Sequence, residues 1–266
     1  GISSFQALCA AVAAQVGTGN IVGASGAILA GGPGAIFWMW IVAVLGMSTI
    51  YAEAVLAQET RIKLPDGEIL GGPVYYIKRA FPNLFGTCLA VFFACAVIVS
   101  LGFIGNMVQA NSIGETLHTA VPLLNEKLIG VIIALLAFAI FAGGIKRIAV
   151  VTEKMVPFMA LLYIIGGFVI LACRIQYIPE TFACIFKYAF NPEALIGGGL
   201  GYALKTAVSQ GVKRGLFSNE AGMGSTPHAH AQANVEKPHD QGVVAMWGVI
   251  IDTFVVLTMT ALVVIS

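Results

Sequence analysis

Val16-Gly17-Thr18-Gly19-Asn20-Ile21-Val22-Gly23 interrupts an apolar run that is otherwise fit to be a helix. Nothing from Gly1 to Ala52 carries a charge; the first charged residue is Glu53. Such a stretch belongs in lipid. There, backbone N–H and C=O groups must be bonded internally, so a break is tolerated only where it lines a cavity or is buried in protein. Gly17, Thr18, Gly19 and Asn20 at mid-span therefore mark a site. The plainer alternative is close helix packing, which small residues also serve in membranes.

Composition agrees with a membrane class. Of 266 residues, 58% are hydrophobic and 10% charged, where soluble domains carry about 25% charged residues. Mean hydropathy is +0.90. A net charge of +1 gives no electrostatic case for nucleic acid. The five cysteines show no C-x-x-C spacing, and the four that sit in apolar runs are expected to be small buried hydrophobes. No Gly-x-Ser-x-Gly or His-Glu-x-x-His is present, and His228-x-His230 with His239 reads as a solvated loop cluster. The expectation is a non-enzyme with no resident cofactor. Gly1 to Leu8 lacks a basic signal-peptide region, and Ser266 falls inside an apolar run. A piece of a longer polypeptide is expected.

A spanning helix needs about 20 apolar residues. Seven spans are predicted: Ser4 to Ala30, Ala35 to Ala57, Leu84 to Gly114, Leu128 to Ile145, Met155 to Cys173, an ill-defined sixth over Leu195 to Ala233, and a seventh from Val243 onward. Gly31-Gly32-Pro33-Gly34 separates the first two. One set of loops holds Arg61, Lys63, Lys78, Arg79, Lys146, Arg147, Lys154 and Lys237; the other holds Lys127, Arg174 and Lys187. The richer set is expected on the cytoplasmic side, so the first span runs outward. Glu53 and Glu59, near the inner end of the second span, read as interface charges.

The sixth span repeats the oddity of the first. Ile196 to Gly201 is glycine-rich, and Gly215-Leu216-Phe217-Ser218-Asn219-Glu220-Ala221-Gly222-Met223-Gly224-Ser225 is too polar for lipid-facing helix. With five spans between their starts, the two broken helices enter from opposite sides. Inverted-repeat transporters place substrates at such a pair. Half-helix N-termini attract carboxylates, and C-terminal carbonyls attract cations.

Gly31-Gly32-Pro33-Gly34-Ala35-Ile36-Phe37-Trp38-Met39-Trp40-Ile41-Val42-Ala43-Val44-Leu45-Gly46 resembles the signature of the sodium:alanine symporter family. Val16 to Gly23, Gly105 to Asn111 and Arg214 to Ser225 also match that pattern, in order. The resemblance implies an all-α integral membrane protein with the leucine-transporter-type 5+5 inverted repeat, truncated after about seven transmembrane helices. Residues 1–194 would be the first repeat, and 195–266 the C-terminally incomplete start of the second. It implies sodium-coupled import of alanine or glycine by alternating access, as a multi-pass protein of the cell (inner) membrane. Such a fragment is not expected to transport alone.

An amino-acid zwitterion needs partners for both charges. The N–H groups of Thr18, Gly19 and Asn20 suit a carboxylate. The Asn20 oxygen is a hard ligand for Na⁺, and the resemblance places an asparagine here at a first sodium site; the alternative is a helix cap. Thr18 offers a hydroxyl to the same ion. By resemblance, Phe217 is a lid over the substrate and Ser218 a sodium ligand. Met223 would limit side-chain size, or simply fill space. Asp252, alone among uncharged residues ten positions into the seventh span, is costly by ~2.5–3.5 kcal/mol unless Na⁺ or hydroxyls such as Thr253 offset it. Resemblance makes it a sodium ligand, with plain interhelical hydrogen bonding as the alternative. Gln109, with Asn106 and Asn111 nearby, is expected to reach substrate or to join helices. Glu220, ionisable at membrane depth, is expected to be functional or to pair with nearby Arg214. A neutral substrate gains no drive from voltage, whereas Na⁺ gains about 2.3 kcal/mol per 100 mV. A channel is the competing class, since broken helices also line pores.

Overall fold

The structure, a computed structural model, describes residues 1–190 and 200–266. About 83% is helical, and the protein is an all-α membrane protein. The expected repeat boundary after residue 194, and glycines 197 to 199, lie outside the described residues.

Helix α1 (Ser4–Gln15) starts with reciprocal capping: Ser3 Oγ accepts the Gln6 N–H at 3.1 Å, and Gln6 Oε1 accepts the Ser3 N–H at 3.0 Å. Helicity stops at Val16. It resumes as a π-helical segment, Gly19–Gly23, which leads into α2 (Ala24–Gly31). The axis bends by 48° across this break. Helix α3 (Gly34–Thr60) follows. A hairpin, β1 (Ile62–Lys63) with β2 (Ile69–Leu70), and α4 (Pro73–Ala80) connect it to the next crossing.

That crossing is one long helical segment, Leu84–Ala120: α5 (Leu84–Val97), a π-helical stretch Ile98–Gly105, and α6 (Asn106–Ala120). Then come α7 (Glu126–Phe141), α8 (Gly144–Cys173) and the amphipathic α9 (Ile178–Phe190). Helix α10 (Leu200–Asn219) precedes the short α11 (Thr226–Ala231). The last crossing joins α12 (Pro238–Val249), a π-helical stretch Ile250–Leu257, and α13 (Thr258–Ile265).

Among the described residues, four helical segments are long and apolar enough to cross a membrane: Gly34–Thr60, Leu84–Ala120, Gly144–Cys173 and Pro238–Ile265. The bent pair α1–α2 makes a fifth. The expected fourth span is shorter than read from sequence. Helix α7 has 16 residues, about 24 Å long against a ~30 Å hydrocarbon core. The sixth differs too: α10 carries Lys205, Lys213 and Arg214 and runs unbroken through 215–219, so the break begins at Glu220.

Helix α3 is the hub, with α9, α10 and α12 packed on it. Small residues on its inward stripe (Ala43, Gly46, Ala54, Ala57) allow this close approach. By contrast, Phe85, Phe92, Phe103 and Met107 of the long crossing are exposed, as suits a surface whose solvent is lipid. The cysteine expectation holds for Cys9, which is buried; Cys88, Cys95 and Cys173 sit on exposed apolar faces.

Candidate functional site

The two helix breaks meet. An added Cβ on Gly19 would stand 3.1 Å from the Ser218 Cα, so glycine lets the first break touch the end of α10 without either backbone giving way. At that contact lie Asn20, Ser218 and Asp252, all buried. Asn20 and Asp252 each occupy a π-helical segment, whose widened turn is common at functional sites.

Asp252 organises the cluster. Its Oδ1 accepts from Asn20 Nδ2 at 2.7 Å. Its Oδ2 accepts from Ser218 Oγ at 3.0 Å and from Thr253 Oγ1 at 2.9 Å. Asn20 Nδ2 also donates to the Asp252 carbonyl at 2.9 Å, and Asn20 Oδ1 accepts the Gly17 N–H at 3.0 Å. Every hydrogen-bond partner of the carboxylate among the described residues is neutral. Neutral donors spread its charge but do not cancel it. A fully buried carboxylate in that state is a fitting seat for a small cation.

Beside this cluster is a cleft of about 370 Å³ lined by Thr18, Gly19, Val22, Gly23, Val108, Gln210, Lys213, Arg214 and Phe217. Gln109 is not among these lining residues but meets the first break: its Oε1 accepts the Thr18 N–H at 3.1 Å, and its Nε2 lies beside Gly17. Asn106 instead bonds its own helix at Gly102, and Asn111 is exposed. The Thr18 hydroxyl is buried without a hydrogen-bond partner among the described residues.

The structure thus brings together Thr18, Gly19, Asn20, Gln109, Phe217, Ser218 and Asp252. It alters several readings, that of His230 among them, which is buried on α11 and not in a solvated loop. The backbone N–H groups expected to wait for a carboxylate are partly engaged, since that of Thr18 meets Gln109 and that of Asn20 meets the Gly17 carbonyl at 3.2 Å. Met223 does not line the cleft; it sits on the Glu220–Ser225 loop, which packs toward Thr49, Phe93 and Pro73. Glu220 bonds Ser225, while Arg214 bonds Gln210 and lies over Gly26, so the expected Glu220–Arg214 pair is not formed.

Sequence reading also missed contacts. Gln15, the last residue of α1, donates to the carbonyl of Asn219, the last residue of α10, at 2.9 Å. Glu53 is buried rather than interfacial and binds the Glu220–Ser225 loop. Its place on the α3 packing stripe, three residues after Ile50, was the signal available.

The sodium:alanine symporter family model matches residues 1–266. The chain is 47% identical over 263 residues to the sodium/alanine symporter AgcS of Methanococcus maripaludis, covering 98% of this chain and 57% of that protein. It is 42% identical over 265 residues to the amino-acid carrier protein AlsT of Bacillus subtilis (99% of this chain, 55% of that protein). It is 41% identical over 263 residues to the probable sodium/glutamine symporter GlnT of the same organism (99% and 53%). The chain spans about half the length of the curated relatives it matches. This is a family of transporters, not enzymes, and of cation-coupled amino-acid carriers. With its membrane-competent helices and a match along its whole length, the chain belongs to the sodium:alanine symporter family.

Proposed function

We propose that this chain contributes the sodium site and much of the amino-acid site of a symporter that imports alanine or glycine by alternating access. The single observation that carries this is the buried Asp252 carboxylate, held by Asn20 and Ser218 where two broken helices touch. Na⁺ would be cargo, and the carrier needs no resident cofactor. Asn20, Ser218 and Asp252 would ligate it, with the unpartnered Thr18 hydroxyl next in reach of the break. A half-turn of the Asn20 amide would turn its oxygen toward the ion, in exchange for its bonds to the Gly17 N–H and the Asp252 carbonyl.

The substrate carboxylate would dock at Thr18 and Gly19, beside Gln109, with Phe217 closing the cleft. Lys213 and Arg214, which also line the cleft, favour an anionic group there. Sharing one helix break makes the affinities of Na⁺ and substrate reciprocal. The contact of two breaks supports a 5+5 inverted repeat, with 1–194 as the first repeat and 195–266 as the start of the second. The setting would be the cell (inner) membrane. The test is uptake of radiolabelled alanine and glycine by the intact protein, with Na⁺ replaced by K⁺. Uptake should fall to background in K⁺; equal uptake in both salts would sink the reading.

A further inference from the structure

One buried carboxylate stands outside the proposed sodium site, against the loop that follows α10. Glu53, on α3, is 9% exposed. Its Oε2 accepts the Gly222 N–H at 3.0 Å, and its Oε1 accepts the Gly224 N–H at 3.1 Å. The receiving loop is shaped for this. Glu220, Gly222 and Gly224 have φ of +56°, +82° and +75°. Left-handed residues at every second position turn alternate N–H groups to one side and form an anion-holding concavity. Each carboxylate oxygen takes one N–H, so the pairing is bidentate and charge-assisted. Gly46, two turns earlier on α3, keeps the helix close to the loop: a Cβ there would stand 3.0 Å from that of Ala221.

The loop is tied in turn to the cation cluster. The Ala221 N–H donates to Asn219 Oδ1 at 3.0 Å. The Asn219 carbonyl accepts from Gln15 at 2.9 Å, and the preceding residue, Ser218, donates to Asp252. An unbroken run of short contacts therefore leads from α3 to the Ser218 hydroxyl. Without the carboxylate, two backbone N–H groups lose their partner, and the loop that ends α10 loses this tie to α3.

We propose that Glu53 is a positioning residue: through the Gly222 and Gly224 amides it fixes the end of α10 so that Ser218 faces Asp252. The transport consequence rests on the sodium-site reading above; the latch itself does not. Glu53→Gln keeps the shape but presents an NH₂ group to one of the two N–H donors. Glu53→Asp keeps the charge but is one methylene short, and serves as a second variant should the first fold poorly.

The experiment measures amide deuterium exchange over residues 216–228, and the Na⁺ dependence of alanine uptake, in the intact protein. For Glu53→Gln the loop should exchange at least tenfold faster at two amides. The Na⁺ half-saturation should rise about tenfold while the maximal rate changes less than threefold; Glu53→Asp should fall between. Unchanged exchange in both variants overturns the latch. Faster exchange with unchanged Na⁺ half-saturation overturns the positioning role. If the unaltered protein takes up alanine without Na⁺, the sodium-site reading fails separately, and the exchange data still decide the latch.

Discussion

Replacing Asp252 by Asn is the sharpest perturbation because it moves two observables in opposite directions. The side chain keeps its shape. The oxygen in the Oδ1 position still accepts from Asn20, now held at 2.7 Å. The NH₂ group replaces Oδ2, where Ser218 and Thr253 sit at 3.0 and 2.9 Å, and both hydroxyls can reverse and accept. The hydrogen bonds survive, so the change isolates charge. A unit charge ~4 Å from an ion contributes about 4 kcal/mol at an effective dielectric near 20. With about a third of that recovered by the remaining oxygens, about 2.7 kcal/mol is lost and Na⁺ affinity should fall roughly 100-fold. The Na⁺-free protein should instead gain stability, because an unpaired charge at membrane depth costs ~2.5–3.5 kcal/mol.

Thermal unfolding of the purified intact protein in a Na⁺ series reads both effects. At a Na⁺ concentration 100 times the Kd, binding stabilises by about 2.7 kcal/mol; after a 100-fold loss of affinity, the same Na⁺ contributes only about 0.4 kcal/mol. Equal Na⁺ stabilisation in variant and parent, with equal Na⁺ dependence of uptake, would refute the assignment. A lower melting temperature without Na⁺ would show that the carboxylate is needed for folding and is not an unpaired charge.

Two further outcomes follow from named contacts. Gln109→Glu retains an oxygen for the Thr18 N–H but replaces the Nε2 donor with a negative oxygen; alanine uptake should drop more than tenfold at neutral pH with little change in melting temperature, and normal uptake would reduce Gln109 to a cap for the break. His230, on α11 beside the hairpin, has its imidazole pushed down to about 4 by burial. Its pKa is lower folded than unfolded, so its stabilising contribution is present above about 6.5 and is lost as pH falls to about 4, by up to roughly 3 kcal/mol. His230→Gln should flatten that part of the stability profile, and an unchanged slope in a pH series of melting temperatures would contradict it.

Local chemistry alone made much of this protein legible. The charge-free run to Ala52 points to lipid, and the Gly17-Thr18-Gly19-Asn20 interruption within it points to a break, which lipid tolerates only where protein or a cavity satisfies the freed backbone groups. Asp252 was equally plain: one carboxylate in an apolar run must have a reason. Tertiary structure decided what hydropathy does not encode. Whether Met223 meets the cleft or a loop, whether Glu220 takes Arg214 or Ser225, and whether Glu53 lies at the interface or under two glycine amides all depend on which helix passes α3 and at what register. The π-helical turns that aim Asn20 and Asp252 at each other shift side chains by a fraction of a turn with no change of composition. The break at Gly17-Thr18-Gly19-Asn20 was written in the sequence because lipid forbids unpaired backbone anywhere along a span. Its partners were not, because they come from residues as far as 232 positions away, and only packing brings them within 3 Å.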